Sequence, residues 1–363
     1  ANQGVQLTVT LGGVVRKAVA NDLQQWSVEF PALKASSKPI TMTVNSSHGF
    51  DRTVSNILVG DVWYLTGSTL LTGELAYNQR DKDAKIPAPM PLVREFRRKT
   101  SASSFTTPRK RKFETGGGKY RSSWQIADYS TGGEGVTTFA YHFAKTLNRQ
   151  GIPQGFITMS SGQGGSNKQI ASPLSWTSFN GVKDIKNPEF KARLDELLLQ
   201  YPNSDVSKKA IDKHVEEVQA AVKTIVDTRN SGGDMSKDVP LQLPAFPQSG
   251  KSSIVKPDTI PTYAYNWCVS PMTPMAVAGV IWIPSENNIG YTPADYAAEL
   301  EIYAKSLANT YGQEKVQFYY AQPASSLVNG ITEPKVPDAK SFTFDKWPKK
   351  LNDFATEMAK LVE

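Results

Sequence analysis

Residues 57–73 read ILVGDVWYLTGSTLLTG. The apolar run Ile57-Leu58-Val59 passes through Gly60-Asp61 into Val62-Trp63-Tyr64-Leu65, then breaks at Thr66-Gly67 into small residues fit to begin a helix. This reads as a β-strand ending in a tight glycine turn. At the carboxyl edge of a parallel sheet such turns face the chemistry, because loops and helix N-termini converge there. Gly67 to Leu71 are therefore expected to face whatever the protein binds or cleaves. The competing reading is a buried strand with an ordinary connection.

Upstream, three segments alternate polar and apolar residues: Val5 to Leu11, Trp26 to Phe30 and Ile40 to Val44. Gly12-Gly13, Asn21-Asp22, Ser36-Ser37 and Ser46-Ser47 punctuate them. The pattern predicts a small antiparallel β-module over residues 1–56 with one solvated face. Residues 57–363 are then expected to form an α/β domain.

Downstream, residues 78–135 are rich in Pro, Ser, Gly and basic side chains, and are expected to be a decorated surface loop. Helical spacing resumes at Thr137 to Leu147, and Phe156-Ile157-Thr158-Met159 follows as a strand, which is the βαβ pattern of a parallel sheet. Asn187-Pro188-Glu189 opens a helix expected to reach about Tyr201. A second amphipathic pattern spans Ser207 to Arg229, giving a helical excursion over residues 187–230. Val277 to Ile283 is the next buried strand, Thr292 to Asp295 starts a helix ending near Gly312, Val316 to Tyr320 is a further strand, and Pro348 to Glu363 is a terminal amphipathic helix.

The chain has 363 residues, 39% hydrophobic and 21% charged. No apolar run reaches the roughly 20 residues of a membrane helix, so no membrane span is expected. The chain begins Ala-Asn-Gln, which is what a cleaved signal peptide leaves, and a secreted, extracellular, periplasmic or cell-surface location is expected. The single cysteine, Cys268, rules out an internal disulfide and reads as a small buried hydrophobe.

Net charge is +7. Between Arg94 and Arg121 ten basic residues face two acidic ones, so the rest of the chain is nearly neutral. This basic stretch is suited to an acidic or acetylated polysaccharide, or it is a solvated loop. Only Phe96, Phe105, Phe113 and Tyr120 are interleaved for stacking, so nucleic acid is not the expected partner. Gly116-Gly117-Gly118-Lys119 lacks phosphate-loop spacing, no His or Cys cluster suggests a metal, and no cofactor is expected.

Several motifs in order carry a family resemblance: GDVW at Gly60, FAYHFAKTL at Phe139, IPQGFITMSSGQGGS at Ile152, YNWCVSPM at Tyr265 and GVIWIPSENN at Gly279. Together with the QQWSVEFPAL segment of the β-module, they resemble the sialate O-acetylesterase branch of the SGNH/GDSL hydrolases across nearly the whole chain. The resemblance implies a three-layer α/β/α, flavodoxin-like parallel sheet behind the N-terminal β-module.

It also implies acyl-ester hydrolysis by a serine, a histidine held by an aspartate, and an oxyanion hole of backbone N–H groups. Against the family's Gly-Gln-Ser-Asn-Met, this chain has Gly67-Ser68-Thr69-Leu70-Leu71, placing Thr69 at the nucleophile position and apolar Leu70 at the Asn position. Gly164-Gly165-Ser166 matches the oxyanion segment. Against Trp-Tyr-Gln-Gly-Glu-Ser-Asn stands Trp282-Ile283-Pro284-Ser285-Glu286-Asn287-Asn288, which keeps Glu286 and Asn288 but brings in Pro284, a residue without an N–H.

The family's Asp-x-His-Pro segment corresponds to Asp345-Lys346-Trp347-Pro348. An indole has no basic nitrogen, so Trp347 cannot take a proton from a hydroxyl. The three histidines, His48, His142 and His214, fall at no expected site. The implied reading is a degenerate esterase: a cleft of Gly67, Gly165, Ser166, Glu286, Asn288 and Trp347 with a glycan-binding role, or a subunit of a surface layer, sheath, filament or other homo-oligomer. The alternative is an active carbohydrate O-acetylesterase using Thr69, or Ser68 if the loop is one residue shorter.

Overall fold

The protein is described by a computed structural model. It describes every residue except 74, 76–86, 99–122, 130–134, 160–171, 183–184, 186–187, 200–203, 238–242, 248–261 and 290–292.

Strands β1 (Gln6–Leu11) and β2 (Val14–Val19) form a hairpin, joined through Gly12 and Gly13 at φ +55° and +87°. Both glycines take the left-handed conformation that a two-residue hairpin turn needs to match strand twist. With β3 (Ser36–Ser46) and β4 (Asp51–Val59) they make an antiparallel sheet in the order β2-β1-β3-β4. Val5, Leu7, Val9, Ala20 and Val44 form its small core. The expected strand at Trp26 to Phe30 does not form. Val28 and Phe30 pack on that core as irregular chain instead.

The run from Ile57 to Leu65, read above as one strand, is cut at Gly60. Ile57 to Val59 close β4, and β5 (Asp61–Gly67) opens a different sheet. A Cβ at Gly60 would lie 2.0 Å from the Pro153 carbonyl oxygen, and the Asp61 N–H donates to that oxygen at 2.9 Å. Only glycine allows the chain to pass that close.

The second sheet has the order β11-β10-β9-β5-β8-β6-β7. It comprises β5, β6 (Met90–Arg98), β7 (Ser123–Ala127), β8 (Gln154–Met159), β9 (Gly279–Ile283), β10 (Phe318–Pro323) and β11 (Lys340–Phe344), parallel throughout except for the antiparallel edge strand β7. Strand residues alternate between two cores. Trp63, Leu65, Phe156, Ile281 and Ile283 meet helices α1 (Thr138–Leu147) and α5 (Asn352–Val362). Tyr64, Ile157, Val280 and Trp282 meet α4 (Pro293–Tyr311) on the opposite face. This is the three-layer α/β/α arrangement, and full burial of each large side chain contributes roughly 1.5–3 kcal/mol.

One expectation needs correcting. Residues 78–135 are not one surface loop: β6 and β7 come from this stretch, and β6 lies inside the sheet between β8 and β7. Three of the ten basic residues, Arg94, Arg97 and Arg98, belong to β6, while 99–121 lie outside the described residues. The helical excursion appears as α2 (Pro188–Leu198) and α3 (Asp205–Ser231). Strands β2, β7 and β11 had no counterpart in the sequence reading. Among the described residues no helix is long and apolar enough to cross a membrane.

Candidate functional site

Strands β5, β8, β9, β10 and β11 run parallel, so the chain leaves them all at one edge of the sheet. The residues singled out after β5, β9 and β11 therefore share the carboxyl edge where α/β sheets place their ligands.

After β5 the chain turns at Gly67, whose φ is +106°. A Cβ there would sit 2.3 Å from the Ile283 carbonyl oxygen of neighbouring β9, and the Ser68 N–H donates to that same oxygen at 2.6 Å. Gly67 is thus required twice over, by conformation and by space. The expected helix is a single 3-10 turn, Thr69–Thr72. Ser68 caps it, its Oγ accepting the Leu70 N–H at 3.1 Å. Ser68 is fully buried, with no exposed surface. A nucleophilic serine at such a turn has to project toward substrate, and this hydroxyl is enclosed and engaged in capping. The Thr69 side chain lies outside the described part of the structure.

After β9, Pro284 is buried and Glu286 is exposed at the head of a 3-10 turn, Glu286–Ile289. The pairing of Gly67 with Ile283 brings these residues beside Ser68. The Asn288 side chain lies outside the described part, as do Gly165 and Ser166 entirely.

Asp345 is exposed one residue beyond β11. Trp347 is half-buried and packs against both cores, its ring 5.2 Å from Phe344 at 67°. Strand β11 stands three strands from β5, about 14 Å at ordinary strand spacing. A base from this loop would have to reach across β9 and β10, whereas Trp347 is drawn into packing with Phe344.

No histidine hydrogen-bonds Ser68 among the described residues. His48 sits in the β3–β4 turn beside the Ser47 hydroxyl at 3.1 Å. His142, on α1, touches Tyr141, and burial and then Lys145 lower its pKa. His214, on α3, stacks edge-on with Phe246. Among the described residues no group of three His, Cys, Asp or Glu side chains is placed to hold a metal.

The edge also carries a buried polar network that the sequence reading missed. Glu95 of β6 is wholly buried and accepts the N–H and hydroxyl of Thr137, the cap of α1, at 2.6 and 2.8 Å, together with the Thr158 hydroxyl of β8. Arg97, two residues along, lies 3.6 Å from the Glu95 carboxylate and donates to the Gly135 carbonyl at 2.8 Å. The signal was the alternation Val93-Glu95-Arg97 inside the basic stretch, where charge obscured a buried face.

A mostly parallel seven-stranded sheet between two helical layers, with a glycine-ended strand turned into a short capped 3-10 turn at its carboxyl edge, defines a three-layer α/β/α fold. Among solved structures, a novel carbohydrate acetylesterase from Xanthomonas citri matches with a TM-score of 0.63 at 18% identity, over 99% of this chain and 68% of that one. An Arabidopsis thaliana protein matches with a TM-score of 0.36 at 10% identity, over 84% of this chain and 98% of that one. No protein-family model and no curated protein sequence matches the chain. The first likeness establishes a fold shared with a carbohydrate acetylesterase.

Proposed function

We propose that this chain is a degenerate relative of the sialate O-acetylesterase branch, one that keeps the esterase scaffold without its proton-accepting residue and acts by binding or assembly. The observation that carries this reading is Trp347, an indole at the position the resemblance gives to the catalytic histidine, held against Phe344. Without a base a serine or threonine hydroxyl stays protonated near neutral pH and attacks an ester poorly. The buried Ser68, whose hydroxyl caps the following turn, adds support. The role would be glycan recognition at the carboxyl edge of the sheet, where Glu286 is exposed, or a place in a surface layer, sheath or filament outside the cell.

The second reading is an active carbohydrate O-acetylesterase using Thr69 or Ser68. The likeness in fold to a carbohydrate acetylesterase favours it. Hydrolysis of p-nitrophenyl acetate and of an O-acetylated sugar separates the two. The binding reading expects the wild type to release acetate no faster than Thr69→Ala and Ser68→Ala, and a clear excess by the wild type reverses the order. Light scattering behind size exclusion tests assembly, and a strictly monomeric species at high concentration rules it out. A sulfated polysaccharide tests the basic stretch: bound material should come off as salt rises.

A further inference from the structure

A cavity of about 630 Å³ runs along α4, between that helix and the chain around Leu174 and Gly181, with Tyr265 on its wall. Its size is that of a small-molecule site. Glu299 lies in it with 3% of its surface exposed. Among the described residues, neither Glu299 carboxylate oxygen has a hydrogen-bond partner, nor has Oγ1 of Thr310, another residue of the lining. The Ser172 hydroxyl favours the charged form of Glu299 yet stays outside hydrogen-bond geometry. Leaving a buried polar group unpaired costs about 1–3 kcal/mol, and more for a charge. Glu95 shows how this fold satisfies a buried carboxylate when it is structural, so the bareness of Glu299 calls for a partner from outside the chain.

The charge around Glu299 indicates the kind of partner. Asp295 lies one turn earlier on the same helix face, and Glu301 also lines the cavity, against a single cation among the described residues, the exposed Lys305. Burial pushes the Glu299 carboxyl up to about 8, and the Asp295 charge adds to the rise. A cation seated between them offsets both effects. The described residues place no third ligand for a metal, whereas one buried carboxylate with a hydroxyl nearby matches the three donors of an ammonium group.

We propose that this cavity binds a small organic ammonium ion, with the Glu299 carboxylate as its counter-charge. The site stands on the α4 flank and does not depend on the esterase reading.

The test is calorimetric titration of the full chain with glucosamine, ethanolamine and cadaverine, with glucose as the neutral control. At least one amine should bind in the micromolar to millimolar range and glucose should not. Because Glu299 must lose its proton to pair with the cation, binding at pH 7 should release protons and its heat should vary with the buffer's ionisation enthalpy. Asp295, Glu301, Lys305 and Tyr265 are the other titratable groups on the cavity wall. Asp295→Asn should therefore weaken binding less than Glu299→Gln, which should weaken it at least about tenfold while melting no lower than the wild type. Should Glu299→Gln fail to fold, the Glu299 carboxyl followed by NMR gives the same decision: an amine must lower its pKa. The proposal is overturned if no amine binds, if glucose binds equally well, or if Glu299→Gln binds amines like the wild type.

Discussion

Glu95 and Glu299 are both glutamates with almost no exposed surface, one at the carboxyl edge beneath α1 and one on the far face in α4. Glu95 takes three hydrogen bonds and faces Arg97. Glu299 takes none. Burial raises the pKa of both, but at Glu95 the Arg97 charge and the threonine donors pull against it. The same residue therefore serves as a fastener in one region and as an unmet requirement in the other.

The largest expected effect tests the fastener. Glu95→Ala leaves the Thr137 N–H and hydroxyl and the Thr158 hydroxyl buried without their common acceptor, and the Arg97 guanidinium without its counter-charge, which should cost roughly 3–5 kcal/mol. Urea unfolding measures it. A loss below about 1 kcal/mol would mean that the edge is not held as described. Next comes Gly67→Ala, whose new methyl would meet the Ile283 carbonyl at 2.3 Å in a left-handed backbone. A penalty of roughly 2–4 kcal/mol is expected, read in the same unfolding experiment, and a neutral outcome would break the account of the β5–β9 crossing.

Glu299→Gln probes the other side of the comparison through pH. The folded pKa of about 8 lies above that of an unfolded glutamate. Between roughly pH 4.5 and 8 the folded state thus holds a proton that the unfolded state has released. Glu299 therefore weakens the fold progressively as pH rises through that window, in the opposite sense to a salt-bridged acid. Thermal melts from pH 5 to 7 should show the wild type losing about 2–3 kcal/mol that Glu299→Gln does not lose. Parallel curves would mean that Glu299 is satisfied after all.

The sequence revealed the centre of the fold and concealed its margins, for physical reasons. Trp63-Tyr64-Leu65 and Val280-Ile281-Trp282 are covered on both faces, so they stand out as unbroken apolar runs. Strand β6 carries Glu95 and Arg97 inward and reads as part of a charged loop. Strand β11, KSFTF, is short and half solvated. Trp26 to Phe30 alternates like a strand, but Val28 and Phe30 are taken up by packing on the β-module's core as irregular chain. At the site, Gly67 was legible because a glycine at a strand's end has few other uses. The burial of Ser68 and the packing of Trp347 were not, because both depend on contacts distant in sequence. Glu299 left a trace: an acid on the stripe of Tyr296, Leu300, Tyr303 and Leu307.

The smallest expected effect belongs to Ser68, where structural and catalytic readings diverge most cleanly. As a cap, Ser68 gives the Leu70 N–H its acceptor, and loss of such a cap costs about 1 kcal/mol. Ser68→Ala should therefore melt slightly lower than the wild type. Ser68→Asp, with an acceptor of greater reach, would have to force a charge into a site with no exposed surface and should do worse than alanine. If Ser68 were the nucleophile of an ester hydrolysis, alanine would abolish ester turnover at this modest structural cost. If Ser68 only closes the turn, stability moves by that single kcal/mol and no acetate release disappears with it. A loss of turnover in Ser68→Ala that exceeds what its lowered folded fraction explains would return Ser68 to the role of nucleophile, and the region around β5 would join Glu299 as a place where the fold keeps a reactive group poised.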